Sequence, residues 1–327
     1  MIRLIRLNSW HSFNPEPLEP FPELKQCRIC PRNCGADRYS LKLGYCNADA
    51  SYAISSICIH RGEEPAISGD RGICNIFFGH CNLRCVYCQN YQISDRHAFI
   101  PGYGDDIEPV IRDITRILDR GIVNVGFVSP SHFLPHTKAI IAELKARDHH
   151  PIFVYNTNSY DKVEELRKLE GLIDVYLPDF KYADAKLAEA YSGAKDYPSV
   201  ALQSLVEMYR QVGSTLIPGI AGVAERGMII RHLVLPGHVQ NSLEVLEQIA
   251  EHLSPNVHIS LMSQYYPTPR VWDHSQLGRT VSLKEYAQVV QRMESLGMHR
   301  GWIQELSSTH SFRPDFNATD PFRDSNT

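Results

Sequence analysis

From residue 73 onward the chain alternates short apolar runs with amphipathic helical stretches, and this alternation restricts its fold more than any other feature. Runs rich in β-forming residues occur at Ile73–Phe78, Ile122–Val128, Pro151–Tyr155, Ile173–Leu177, Met228–Leu235 and Val257–Met262. Between them apolar residues recur three and four apart, as in Val110, Ile111, Ile114, Ile117 and Leu118, or in Ile140, Ile141 and Leu144. That spacing gathers them on one helical face. Leu243–Leu253 and Leu283–Leu296 read the same way. Gly121, Gly171 and Gly237 fall in the turns between elements. Nearly continuous apolar strands separated by helices require a parallel sheet with helices packed on it. About six such strands predict an α/β fold, a partial (β/α)6 barrel rather than a closed eight-stranded one. Chemistry in such a fold belongs at the carboxyl ends of the strands. Polar clusters stand there: the loop containing Cys81, then Ser129–His132, Asn156–Ser159 and Asp179–Lys181.

With 327 residues, 43% hydrophobic and 21% charged, the chain is long and apolar enough for a large core. A formal net charge of −4 does not suit neutralisation of a phosphate backbone, so no nucleic-acid partner is expected. No apolar run nears the roughly 20 residues that span a bilayer. The opening MIRLIRLNSWHSF lacks the continuous apolar stretch of a secretory signal, so a cytoplasmic location is the expectation. All nine cysteines lie in the first 88 residues. In a reducing compartment such clustering points to metal or redox chemistry rather than to disulfides.

The cysteines form two groups. Directly after the first predicted strand runs Gly79-His80-Cys81-Asn82-Leu83-Arg84-Cys85-Val86-Tyr87-Cys88, a C-x3-C-x2-C pattern. Three thiolates on a short loop can hold three corners of a [4Fe–4S] cluster and leave the fourth iron open, whereas electron-carrying clusters use four cysteines. A zinc knuckle here needs one more ligand, from His80 or a remote residue. The second group is Cys27, Cys30, Cys34 and Cys46. Four thiolates suit a closed tetrahedral Zn2+ site and equally a second, fully ligated [4Fe–4S] cluster. Either supplies folding energy to a segment too small for its own core. Cys58 and Cys74 read as small buried apolar residues, with Cys58 a substitute ligand if the knuckle set is wrong by one.

The loop spacing, with aromatic Tyr87 just before Cys88, resembles the radical S-adenosylmethionine superfamily. Asn156-Thr157-Asn158, Asp179-Phe180-Lys181 and Ile230–Gly237 resemble strand-end segments of the glycyl-radical-enzyme activases. Cys27–Cys34, Gly62-Glu63-Glu64-Pro65, Asp174–Lys181 and Gln304-Glu305-Leu306 resemble the branch labelled "pyruvate formate-lyase activating enzyme-like". Together these cover most of residues 27–306. The resemblance implies a [4Fe–4S] cluster on Cys81, Cys85 and Cys88, with S-adenosyl-L-methionine on its open iron. It further implies reductive cleavage of that cofactor and hydrogen abstraction. By the same resemblance Tyr87 packs near the adenine, Ser129, Asn156, Thr157, Asp179 and Lys181 lie near the methionine end, and Arg231 meets its carboxylate. Two departures stand out: Asn156 replaces an aspartate, and Ser129-Pro130-Ser131-His132 replaces Gly-Gly-Glu-Pro.

The expected substrate is a protein or peptide, glycyl-radical activation being one version, with flavodoxin or ferredoxin as electron donor. A small-molecule substrate, or a non-catalytic electron-transfer protein, is the alternative. The organisation expected is an extension and metal module over 1–70, a radical core over 71–306, and a tail over 307–327 that wraps the core or stays irregular. His60, Glu63 and Glu64 lead into the first core strand and are candidates to face the site.

Overall fold

The computed structural model describes residues 20–322 apart from 41, 220, 311–312 and 319. Six strands form where the apolar runs predict them: β2 (Ile73–Phe78), β3 (Asn124–Val128), β4 (Ile152–Thr157), β5 (Val175–Pro178), β7 (Ala224–Leu233) and β8 (His258–Met262). They pair in parallel and in chain order. Three further strands complete the sheet. β1 (Ile54–His60) runs antiparallel to β2, β6 (Ile217–Pro218) makes a short hairpin with β7, and β9 (Gly301–Ile303) adds in parallel to β8. β1 and β9 are the two edges, so the barrel stays open.

The helices follow the predicted spacing. After β2 come a short α2 (Tyr91–Ser94) and α3 (Glu108–Leu118). α3 buries Val110, Ile111, Ile114 and Ile117, each worth about 1.5–3 kcal/mol once out of water. α4 (Leu134–Ala146), α5 (Val163–Arg167), α6 (Ala185–Ser192), α7 (Tyr197–Val212), α8 (Val239–His252) and α9 (Leu283–Ser295) connect the later strands, while α1 (Pro65–Ser68) lies between β1 and β2. α9 begins in a capping box of Ser282 and Glu285, which satisfies two otherwise orphaned backbone donors. β2 and β3 are buried along their whole length, as central strands covered on both faces must be. Among the described residues no helix is long and apolar enough to cross a membrane.

One segment differs from the organisation read in the sequence. β1 lies inside the 1–70 stretch, so the sheet begins before residue 71. Its alternation is interrupted by a register shift between Ile54 and Ser56, which hides a strand from a period-two reading. Part of the tail wraps back onto the core: Phe316 meets Phe77 edge-on, Phe322 lies tilted against Phe77, and Phe322 is 4.0 Å from His60, ring centre to ring centre.

The N-terminal module is a small hairpin without helical support. Cys27 pairs with Ala36 and Asp37 with Lys42 across it. The Gly35 N–H donates to the Cys27 carbonyl and the Asn33 N–H to that of Cys30. Asn33 and Gly35 both take positive φ to make this tight turn.

Candidate active site

The loop after β2 brings its three cysteines to the carboxyl end of the sheet. A cavity of about 500 Å³ opens there, lined by Cys81, Cys85 and Cys88 together with Tyr87, Ser129, Asn156, Thr157, Asp179, Lys181 and Arg231. Every candidate residue outside the N-terminal module thus faces one space. The backbone at its rim is strained in one recurring way. His80, Ser129 and Ser159, which follow β2, β3 and β4, all have left-handed φ values of 62°, 55° and 62°. Non-glycine residues hold that conformation only where their surroundings enforce it. Here the Ser129 N–H donates to the Asn156 carbonyl and the His80 N–H to that of Ile93.

Each thiol has its own donor. Asn158 Nδ2 and the Leu83 N–H point at Cys81 Sγ (3.5 and 3.4 Å), Ser192 Oγ at Cys85 Sγ (2.9 Å), and Ser94 Oγ at Cys88 Sγ (3.2 Å). Such donors support sulfur carrying negative charge. Burial works against that charge. It pushes the Cys81 thiol up to about 12 and Cys85 to about 11, with nearby Lys181 opposing the rise at Cys85. Among the described residues no three cysteine, histidine or carboxylate side chains stand at metal-ligand spacing. The three thiols share one cavity instead, and as soft donors on a single loop they fit a cluster that leaves one iron open.

Beneath the loop lies a chain of half-buried charges. Arg231 donates through Nε to Asp179 (2.7 Å), through Nη1 to Glu63 (3.1 Å) and through Nη2 to Asn156 (2.7 Å). Lys181 Nζ donates to the other oxygen of Asp179 at 2.6 Å. Burial alone would raise Asp179, but Arg231 and Lys181 outweigh it and hold its carboxyl below the usual range. For Lys181 burial opposes the charge, and Asp179 more than restores it. Glu63 also accepts from Asn75 and Asn156. The Gly62–Pro65 loop therefore reaches the site, as its position before β2 suggested. Glu64 is raised by burial, with Arg231 opposing.

The remaining positions have defined places. Tyr87 is buried, accepts a 2.6 Å bond from Tyr182 and meets Tyr265 edge-on. The Thr157 hydroxyl donates to buried Asp161 at 2.5 Å. Residues not named as site candidates also take part. Gln304 Nε2 donates to Gln264 (2.7 Å), and Gln89 Nε2 to the Gln264 carbonyl (3.0 Å), an amide chain along the cavity wall. Nothing in a single sequence links positions so far apart. Asn158 had a signal in Asn156-Thr157-Asn158 and Gln304 in Gln304-Glu305-Leu306, whereas Gln264 had none.

In the N-terminal module the four cysteines act electrostatically on one another: Cys27, Cys34 and Cys46 all raise Cys30, after burial, to about 12. Cys27, Cys30 and Cys46 are buried and Cys34 is exposed. Gly44 sits so close to Cys34 Sγ that any Cβ there would collide with it. Cys58 stands elsewhere, opposite Asn75 on β1 and beside the Phe77 cluster, and Cys74 is fully buried in β2. The module grips the cluster loop through Arg32, which donates to the carbonyls of Asn82 (2.8 Å) and Gly193 (2.7 Å). Tyr45 is held between Arg32 and Arg84, whose guanidinium carbons lie 3.7 and 3.9 Å from its ring centre.

An open parallel barrel with three thiols at its mouth and half-buried ion pairs beneath them defines a class of enzyme that generates radicals at an iron–sulfur site. The sequence profile of the radical SAM superfamily matches residues 75–249, more than half of the chain. The chain belongs to that superfamily, whose enzymes use a [4Fe–4S] cluster and S-adenosylmethionine. An uncharacterized protein of Methanocaldococcus jannaschii is 28% identical over 280 residues, covering 84% of this chain and 76% of the relative. Among solved structures, a domain of the pyruvate-formate lyase-activating enzyme from Bacteroides vulgatus superposes with a TM-score of 0.38 at 15% identity, covering 53% of this chain and 93% of that one. SuiB of Streptococcus suis, bound to its precursor peptide, gives 0.46 at 13% identity, covering 70% of this chain and 48% of that one.

Proposed function

We propose that Cys81, Cys85 and Cys88 hold the [4Fe–4S] cluster, and that the enzyme abstracts hydrogen from a protein or peptide substrate. The observation that carries the reading is the single cavity onto which all three loop cysteines open, beside Asp179, Lys181 and Arg231. When bound, the cluster and S-adenosylmethionine together supply a 5′-deoxyadenosyl radical. The chain's own residues do the rest. Ser192, Ser94 and Asn158 orient the sulfurs and support their charge. Lys181 places an ammonium near Cys85. Arg231 spends three of its five N–H groups on Asp179, Glu63 and Asn156 and would meet the cofactor carboxylate with the rest, while Ser129, Asn156 and Thr157 would hold the methionine end beside it. Tyr87, backed by Tyr182 and Tyr265, covers the adenine side and excludes water.

The unpaired edges β1 and β9 leave the barrel open, which leaves room for a backbone loop and favours a peptide. Glycyl-radical activation is one version of this reading, with flavodoxin or ferredoxin as the electron donor in the cytoplasm. A small-molecule substrate is the second reading. It is favoured by the tail, since Ser308, Pro314 and Phe322 also line the cavity and narrow it. The module of Cys27, Cys30, Cys34 and Cys46 is assigned a metal, either Zn2+ or a second cluster.

Reduced, reconstituted protein is expected to form 5′-deoxyadenosine from S-adenosylmethionine, and Cys85→Ala to lose it. No product from the wild-type protein would leave a non-catalytic iron–sulfur role. Deuterium from a labelled peptide appearing in the deoxyadenosine separates the two substrate readings, and a glycyl radical on a partner protein by electron paramagnetic resonance identifies an activase. Metal analysis resolves the module: about four irons and one zinc per chain, or about eight irons and no zinc.

A further inference from the structure

Three carboxylates line the cavity, and two of them are paired. Asp179 is held by Arg231 and Lys181, and Glu63 by Arg231, Asn75 and Asn156. Glu64 is different. It is only 8% exposed, yet among the described residues no cation forms an ion pair with it, and its Oε2 has no hydrogen-bond partner. Arg231 stands near enough to favour its charge, but the arginine's bonds go to Asp179, Glu63 and Asn156. Arg61, the remaining cation of the lining, is exposed. A carboxylate taken out of water with an idle oxygen is unfavourable unless a donor meets it.

The wall around Glu64 is largely apolar. His60, Phe77, Leu233, Trp302 and Phe322 line the same cavity. His60 is 9% exposed, its Nδ1 also lacks a partner, and burial favours the neutral ring. His60 stands opposite Ile73, the first residue of β2, whereas the cysteine loop follows the last. The Gly62–Pro65 loop thus enters from the amino ends of the strands, on the side away from the cysteine loop. A group held there anchors a ligand and leaves the rest of it free to reach the mouth.

We propose that Glu64 receives a primary alkylammonium group of the substrate, either a lysine side chain of a peptide or the amine of a small molecule. The inference rests on the reading that this cavity takes the substrate. An ammonium carries three donors and no acceptor, which suits a bare carboxylate oxygen and a neutral imidazole nitrogen together. Its charge supplies the counter-ion that Glu64 lacks, and its alkyl stem matches the apolar wall. A neutral group would leave the carboxylate without a counter-ion, and an anion would add a second unpaired charge.

The probes are n-pentylamine, n-pentanol, and the peptide acetyl-Gly-Lys-Gly-amide with its Nε-acetyl-lysine counterpart. Each is titrated by ligand-observed NMR into the reconstituted chain saturated with S-adenosylmethionine, so that the cofactor's own amino group is already accommodated. Pentylamine is expected to bind about 10-fold tighter than pentanol, the scale of a hydrogen bond to a charged group. Glu64→Gln is expected to erase that difference. Equal binding of the two by the wild-type chain overturns the proposal without any variant, and so does a Glu64→Gln chain that keeps the preference. A Glu64→Gln chain whose S-adenosylmethionine affinity falls equally far assigns the carboxylate to the cofactor and overturns it as well. Tightest binding by the lysine peptide, lost on acetylation, supports the proposal with a peptide source; tightest binding by pentylamine supports it with a small molecule. A wild-type chain that prefers pentylamine but forms no 5′-deoxyadenosine fails the underlying reading instead, a result distinct from the others.

Discussion

His132, His136 and His232 are each almost wholly buried, and each spends a ring nitrogen on a backbone carbonyl. Nε2 of His132 lies 3.0 Å from the Gly79 carbonyl and Nε2 of His136 2.8 Å from that of Ala50, so each is the Nε2–H tautomer. Their Nδ1 atoms have no partner. Protonating them would bury a charge with nothing to receive its hydrogen. His232 bonds the Phe180 carbonyl and Ser242. Burial first, and nearby cations second for the first two, pushes His132 and His136 down to about 3, and burial takes His232 to about 4. In the unfolded chain each would titrate near 6.5. Between those values the unfolded state binds more protons, so stability rises with pH. The contribution is complete above about pH 6.5 and is lost as pH falls, to about 4 for His232 and about 3 for His132 and His136. Each histidine contributes a slope on the order of 1.4 kcal/mol per pH unit. Chemical denaturation at several pH values is expected to show a steep loss between pH 6.5 and 5, and a flat profile there would sink the assignment of neutral imidazoles.

At the scale of elements, β9 depends on one glycine. Gly301 has a φ of +119°, and any Cβ there would collide with the backbone of Ile259 on β8. The strand is three residues long and leads directly to Gln304, whose side-chain oxygen accepts from the N–H groups of Ser263 and Gln264. Gly301→Ala is expected to cost about 1–3 kcal/mol and to loosen Trp302 and Gln304. Tryptophan fluorescence and a denaturation curve read the two effects, and wild-type values in both would contradict the close approach. This element also marks the limit of legibility. The six long apolar strands are plain in the sequence because burial on both faces demands an unbroken apolar run. β9 is too short to show a period, and β1 carries a register shift. Among the site residues, those at predicted strand ends were legible because topology fixes where such ends meet. Ser192 and Gln264 were not, since only tertiary packing brings them to Cys85 and Gln89.

The whole molecule couples two cysteine groups that lie far apart in the chain's chemistry but adjacent in space. The module touches the cluster loop from two sides. Arg32, between Cys30 and Cys34, holds the Asn82 carbonyl between Cys81 and Cys85. Arg38 holds the His132 carbonyl, and the His132 ring holds Gly79, two residues before Cys81. Asn82 in turn donates to Tyr160 and accepts from Asn158, the residue that also points at Cys81. On the proposed reading that the module holds a metal, removing that metal would loosen the turns that carry Arg32 and Arg38. Chelation of the module metal is therefore expected to raise amide hydrogen exchange across residues 79–90 at least several-fold, while α8 and α9 on the far side keep their protection. It should also speed bleaching of the cluster's visible absorbance in air, because a loosened loop admits oxygen and water. Unchanged exchange in that loop after verified metal loss would show that the barrel alone holds the three cysteines. A rise spread evenly over the whole chain would show global unfolding, and only the confined change supports a clamp.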